Sequence, residues 1–159
     1  MDRNEKRKAA LHEAGHAVMA RLLGITLKKV WIKPSKASVW GEDWTGNTSV
    51  DWNGAVDPCK DLQIAMAARA CLRVFGISTL LDHGGISDEA KIETLLEVKF
   101  DEQEEEKRAH LRRIDLELER RFAQSDARGA AEALAKILND QLEIDGAAAE
   151  RLIDAHLTA

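Results

Sequence analysis

The stretch that most limits the fold is "VDPCKDLQIAMAARACLRVFG", residues 56–76. Asp57 suits a helix N-cap, where a side-chain oxygen accepts from the first exposed backbone N–H groups. Pro58 suits the first helical position, where the absent N–H has no helical partner to lose. The helix that follows is apolar on nearly every side, so it belongs at the centre of a fold, with the other elements packed around it. The chain has 159 residues, 45% of them hydrophobic, which is enough for one such core without staples. A single domain over 1–159 is expected.

The remaining elements follow from periodicity. Residues 5–23 read as a helix with Leu11, Val18, Leu22 and Leu23 as apolar positions and Gly24 as its stop. "KKVWIKP" then alternates, with Val30 and Ile32 on one face and Trp31 and Lys33 on the other, which is a strand pattern. "ASVW" and "TSVDW" read as further short strands, separated by Gly41 and "TGN". "ISTLLDHGG" reads as a turn or short helix, after which Ser87 caps the helix "DEAKIETLLEVKF". Residues 101–123 form a charged helix with the stripe Leu111, Ile114, Leu118 and Phe122. Its start, "DEQEEEKR", is either a solvated helix N-terminus, where acidic residues are favoured, or an acidic docking patch. Residues 128–139 and 146–157 make a helical pair around "LEIDG". The expected class is mainly α, an α+β domain with a small β element after the first helix.

Charge and composition exclude some roles. The formal net charge is −5, and basic residues are mixed with acidic ones, unlike the clustered basic face that nucleic acid requires. No apolar run approaches the roughly 20 residues of a membrane span. The charged start "MDRNEKRKAAL" lacks the apolar core of a signal peptide. Cys59 and Cys71 lie in no metal-ligand spacing, and Cys71 sits in the apolar helix, where a buried thiol is expected. A cytoplasmic protein without nucleic-acid or membrane partners is the expectation. His110 and His156, on charged helices, are expected to be exposed.

The candidate chemistry is "HEAGH" at 12–16. A helix places residues i and i+4 on one face, so His12 and His16 can present imidazole nitrogens to one ion. Zinc accepts such ligands, and a catalytic site adds a third protein ligand and a water whose pKa falls to about 7. Glu13, beside the pair, can take the proton from that water. The same letters can also spell an ordinary amphipathic helix. Gly15 costs a helix interior about 1 kcal/mol relative to Ala, so something is expected to pack closely there. The third ligand is open among Asp88, Glu89, Glu93 and His83; the bland reading of Asp88 is a carboxylate favoured by the first turn of its helix. All four tryptophans, Trp31, Trp40, Trp44 and Trp52, fall in one segment. They serve either as a substrate groove beside the metal, with Trp31 and Trp40 as substrate-binding candidates, or as the core of the small β element.

"LHEAGHAV" resembles the start of the peptidase domain of the FtsH-type ATP-dependent zinc proteases. "KKVWIKP" with "ASVWG" resembles the strand and β element that follow there, and "DLQIAMAARACLRVFG" the central buried helix. "GGISDEAKIETLL" resembles the loop and helix carrying that family's third zinc ligand, and "EALAKILNDQLEIDGAAAERLI" its closing helical pair. The resemblance implies a helical, zincin-like peptidase domain with Zn2+ held by His12, His16 and Asp88, and Glu13 as general base. It departs from the family at "AARACLR", where a "GGRAAE"-like acidic stretch is expected, so a carboxylate is missing or replaced at Cys71 or Leu72. The family's membrane anchor and ATPase module are not seen either, so a separate ATPase or a homo-oligomer enters as an expected partner.

The expected activity is that of a zinc metalloendopeptidase acting on peptide or protein substrates. The alternative is a catalytically inactive, peptidase-like binding or regulatory module. A soluble H-E-x-x-H peptidase of another group, cutting a repressor, keeps the chemistry and changes the fold. Imidazole and carboxylate ligands also suit other first-row ions.

Overall fold

The computed structural model describes residues 2–35, 43–77, 83–100 and 103–157, without the side chains of 2–4, 83–87 and 98–100. In chain order these form α1 (Asp2–Leu22), β1 (Thr26–Ser35), β2 (Asp43–Asp51), α2 (Pro58–Val74), α3 (His83–Phe100), α4 (Glu104–Ala123), α5 (Ser125–Gln141), β3 (Glu143–Asp145) and α6 (Gly146–Leu157). The fold is mainly helical, with a small antiparallel sheet in the order β2-β1-β3. No helix among the described residues is long and apolar enough to cross a membrane.

Helix α2 begins as its sequence requires. Asp57 accepts from the N–H groups of Cys59 at 2.9 Å and Lys60 at 3.3 Å, and Pro58 opens the helix. Leu62, Ile64–Ala68, Ala70, Cys71 and Leu72 are buried. Helix α1 shares the centre to an extent its periodicity does not convey. Every residue from Ala10 to Ala20 is buried, the polar His12, Glu13 and His16 included.

The two helices touch at Gly15. A Cβ there would lie 2.9 Å from Cys71 Cβ, 3.0 Å from Ala68 Cα and 3.1 Å from the Ala67 carbonyl oxygen. The close packing expected at this glycine is therefore found, and its partners are the small residues of "AARAC". Cys71 is fully buried in this contact, and burial alone pushes its thiol up to about 12. Cys59 is exposed.

The sheet lies over α1. Val30 and Ile32 are buried and Trp31 lies on the opposite face, as the alternation predicts. Strand β1 pairs with β2 from Thr26–Asp51 to Ser35–Asp43, with an irregularity between Leu27 and Lys29. The expected "ASVW" strand lies outside the described residues. Its other edge pairs with β3, a three-residue strand inside the turn "LEIDG" that periodicity alone does not show. Gly146 follows at once, and a Cβ there would run into the carbonyl of Leu27. Glu150 of α6 accepts the Leu27 N–H at 2.8 Å, and Arg21 of α1 makes paired bonds to Asp154. The closing helices are thus tied to both α1 and β1.

The start of α3 and the exposure of two histidines differ from expectation. Helix α3 starts at His83, so Ser87 lies within it and not at its cap. Side-chain propensities for caps are weak beside tertiary packing, and α3 packs on α2. Helix α4 has Ile114, Leu118 and Phe122 buried, with Leu111 partly so; Glu104, Glu105 and Glu106 are exposed in its first turn. His110 and His156 are half-buried, not exposed, and His156 Nδ1 lies 3.0 Å from the Leu152 carbonyl oxygen.

Two predictions follow from this packing. Gly15→Val should lower the unfolding free energy by about 1–3 kcal/mol, the usual cost of overpacking. Replacing a helical glycine favours the helix itself, so a lowered urea midpoint would report the crossing, and an unchanged one would contradict it. At the α4–α5 joint, Arg121 bonds Asp126 at 2.7 and 2.9 Å and holds its carboxyl at about 2. The unfolded value is about 3.9. The folded value is the lower one, so this pair stabilises above about pH 4 and is lost as pH falls toward 2. Asp126→Asn should therefore lower the urea midpoint near neutral pH and flatten its decline over that acid window.

A candidate metal centre

His12 and His16 project from the buried stretch of α1, one turn apart, toward α2 and α3. His16 Nδ1 lies 2.6 Å from the Ile64 carbonyl oxygen of α2. A carbonyl only accepts, so Nδ1 carries the proton and donates it. In the neutral ring this leaves a lone pair on Nε2, the arrangement by which a metal-binding histidine is oriented from behind.

That Nε2 faces two further polar atoms. It lies 3.2 Å from His12 Nε2 and 3.1 Å from Asp88 Oδ2, and Asp88 Oδ2 lies 2.9 Å from His12 Nε2. The two rings stand nearly perpendicular, with an interplanar angle of 83°. A proton can satisfy only one edge of this triangle, whereas a cation satisfies all three corners. Ligands on tetrahedral zinc at 2.0–2.1 Å stand about 3.3 Å apart, close to these separations. His12, His16 and Asp88 therefore form a group that could hold a metal ion.

Of the four third-ligand candidates, Asp88 joins the histidines. Glu89 and Glu93 are exposed on α3, and the His83 side chain lies outside the described residues. Because α3 starts at His83, Asp88 is not in its first turn, and the helix-start account of that carboxylate falls away. Burial alone would raise the Asp88 carboxyl; in the absence of an ion, protonated His12 and His16 outweigh it through hydrogen bonds and charge and hold it well below the usual range.

Glu13 is buried beside the group. Burial pushes its carboxyl up, Asp88 adds to this, and His16, His12 and the Thr48 hydroxyl oppose it. Thr48 donates to the Glu13 backbone carbonyl at 3.0 Å, and its hydroxyl stands 3.4 Å from Oε1. Gly46 lets β2 approach, since a Cβ there would lie 2.7 Å from Glu13 Cγ and 2.6 Å from the Trp31 carbonyl oxygen.

No family model matches this chain, and no curated protein does. The site must be read from its own geometry.

These groups open into a cavity of about 440 Å³. Its walls include His12, Glu13, His16 and Asp88, with Trp44, Val50 and Trp52 on one side and Asp61, Ile64 and Lys91 on the other. The tryptophan assignment thus needs correcting. Trp31 is not a wall residue: Val30 and Ile32 face the core, so Trp31 points to the opposite face of β1, where Lys33 Nζ lies 5.0 Å from its ring. Trp40 lies outside the described residues. Trp44 and Trp52 line the cavity and also pack, partly buried, against the core, so both expected roles meet in them. Trp44, Gly46, Thr48, Val50 and Trp52 alternate along β2 and the residue after it on the cavity side, and Thr45 and Asn47 join the lining near the start of the strand. The Ile64 carbonyl carries no sequence signal at all. Cys71 and Leu72 are buried in the core, so the carboxylate that α2 supplies to the cavity is Asp61, two to three turns earlier.

Metal binding should be visible as stability. Zinc at about 100 times its dissociation constant should raise the unfolding free energy by about 2.7 kcal/mol. Most of that increment should vanish in Asp88→Ala, measured by urea unfolding with and without zinc; an equal increment in both proteins would place the ion elsewhere.

Proposed function

We propose that this chain is a zinc-dependent metallopeptidase of helical, zincin-like build. The observation that carries the reading is the convergence of three potential ligand atoms, His12 Nε2, His16 Nε2 and Asp88 Oδ2, beside the buried carboxylate of Glu13. The donor set is one that zinc accepts, and it leaves room for a non-protein ligand on the cavity side. Bound zinc would supply an acidified water and polarise the scissile carbonyl.

The chain's own residues have separable parts in this reading. Ile64, through its carbonyl, keeps His16 in the tautomer that offers Nε2. Glu13 accepts the proton released from water; its burial favours holding that proton, and the nearby histidines temper the effect, so it can also return it to the leaving amine. Thr48 ties β2 to the Glu13 backbone and stands beside its carboxylate. Trp44 and Trp52 offer flat apolar surface to a peptide side chain, in a cavity of ordinary ligand-site size. The substrate class is a peptide or an extended protein segment, because a cavity this small admits no folded chain.

The alternative is a module that keeps the metal and binds without cutting. A single comparison separates the two. Glu13→Gln keeps the shape and the metal ligands but removes the proton acceptor. It should retain zinc and lose cleavage of unfolded casein or a quenched fluorescent peptide library by about 100-fold or more, the scale of a general base. Cleavage at the unaltered rate would remove Glu13 from the mechanism, and no cleavage by either protein would favour the binding module.

A further inference from the structure

Helix α3 supplies Asp88 but meets the rest of the fold along a narrow strip. Over residues 88–97, the region whose side chains are described, Ile92 and Leu96 are the buried positions; Asp88 and Leu95 are half-buried and the others exposed. Asp88, Ile92 and Leu96 follow one another at intervals of four, so a single row of side chains seats the helix. Apolar burial is not directional. Among the described side chains, Ile92 and Leu96, with Leu95 partly buried beside them, pack α3 on the core without a directional contact, and a shift of under an ångström would spoil contacts of 2.9 and 3.1 Å to the histidines.

One polar contact supplies what the apolar strip lacks. Lys91, one turn beyond Asp88, places Nζ 2.8 Å from Oδ1 of Asp61 on α2. Asp61 lies one turn before Ile64, whose carbonyl orients His16. The two helices therefore carry two matched levels. At one, Ile64 and Asp88 address the histidines; at the next, Asp61 and Lys91 address each other. The Lys91 side chain is half exposed, and such a lysine on an open surface would contribute little. Its partner is different: the Asp61 side chain is only 12% exposed, and without Lys91 it would be a buried carboxylate without this cation.

We propose that the Asp61–Lys91 ion pair is a positioning clasp that sets the rotation and height of α3, and thereby the affinity of His12, His16 and Asp88 for their metal ion. The proposal rests on the metal-centre reading above, and neither residue touches the donor atoms or acts in the chemistry.

The test compares the full chain with Lys91→Met, Asp61→Asn and the double variant. Zinc affinity is read by competition with a chromophoric chelator, and amide hydrogen exchange is read in the metal-free proteins. Each single variant should bind zinc about tenfold more weakly, as for other groups that orient metal ligands. The double variant should bind no worse than the weaker single one, because only one interaction is there to lose. Exchange over 88–97 should accelerate while 10–20 in α1 stays as it was. Single variants within twofold of the unaltered affinity would overturn the clasp, as would losses that multiply in the double variant. If the unaltered chain takes up no zinc, the metal reading fails separately, and the exchange result decides the clasp: faster α3 exchange keeps it, and unchanged exchange ends it.

Discussion

Where α1 crosses α2, the space that a side chain at Gly15 would need is already filled by Cys71, Ala68 and the Ala67 carbonyl. Two helices can come this close only where both present small residues. The crossing has a chemical consequence one residue later. His16 is brought within 2.6 Å of the Ile64 carbonyl, which accepts a hydrogen bond from its Nδ1–H and turns Nε2 toward His12 and Asp88. With a bulkier residue at 15, the backbones would part and the histidine would lose the contact that orients it. The packing of an alanine-rich helix and the protonation of an imidazole are in this sense one feature.

The same close approach brings three carboxylates to one cavity, and each is compensated differently. Asp88 is met by the two imidazoles, Asp61 by the ammonium of Lys91, and Glu13 only by a hydroxyl contact at 3.4 Å and the more distant charge of the histidines. Burial therefore raises the proton affinity of Glu13 while that of Asp88 falls. Carboxylates driven apart in this way suit different tasks: one stays ionised as a ligand, the other can take up and release a proton. The division follows from position alone. Glu13 lies under β2, where Gly46 admits the strand against it, and Asp88 lies where α3 faces both rings.

Much of this could be read from the chain because local rules and tertiary structure agree. Asp57–Pro58, the all-round apolar helix, the alternation at Val30 and Ile32, and the glycine at 15 each have a single physical cause that acts over a few residues. Failures came where the cause is distant. Strand β3 is three residues long and forms because β1 offers a free edge, so no periodicity announces it. The start of α3 is set by packing on α2, which hides the cap that Ser87 suggests. Composition marks a cluster of tryptophans without assigning faces, so it does not separate Trp31 from Trp44 and Trp52; the strand's period of two does so once the core face is known. A backbone carbonyl such as that of Ile64 is invisible to any reading of residue types.

The donor set itself is split between what a helix can do alone and what only the fold can do. His12 and His16 need nothing but one turn of α1 to stand together. Asp88 arrives from 72 residues further on, carried by a helix seated on a single row of side chains. A cation bound by all three would join α1 to α3 directly, so its binding energy would also be docking energy for α3. The coupling must run both ways, because ligand binding and the equilibrium it favours are linked. With an ion bound there, whatever loosened α3 would weaken its binding, and its removal would loosen α3. Apolar packing at Ile92, Leu95 and Leu96 is not directional, whereas Asp88 and Lys91 make directional contacts, so with an ion bound the site and the packing of α3 would be a single equilibrium.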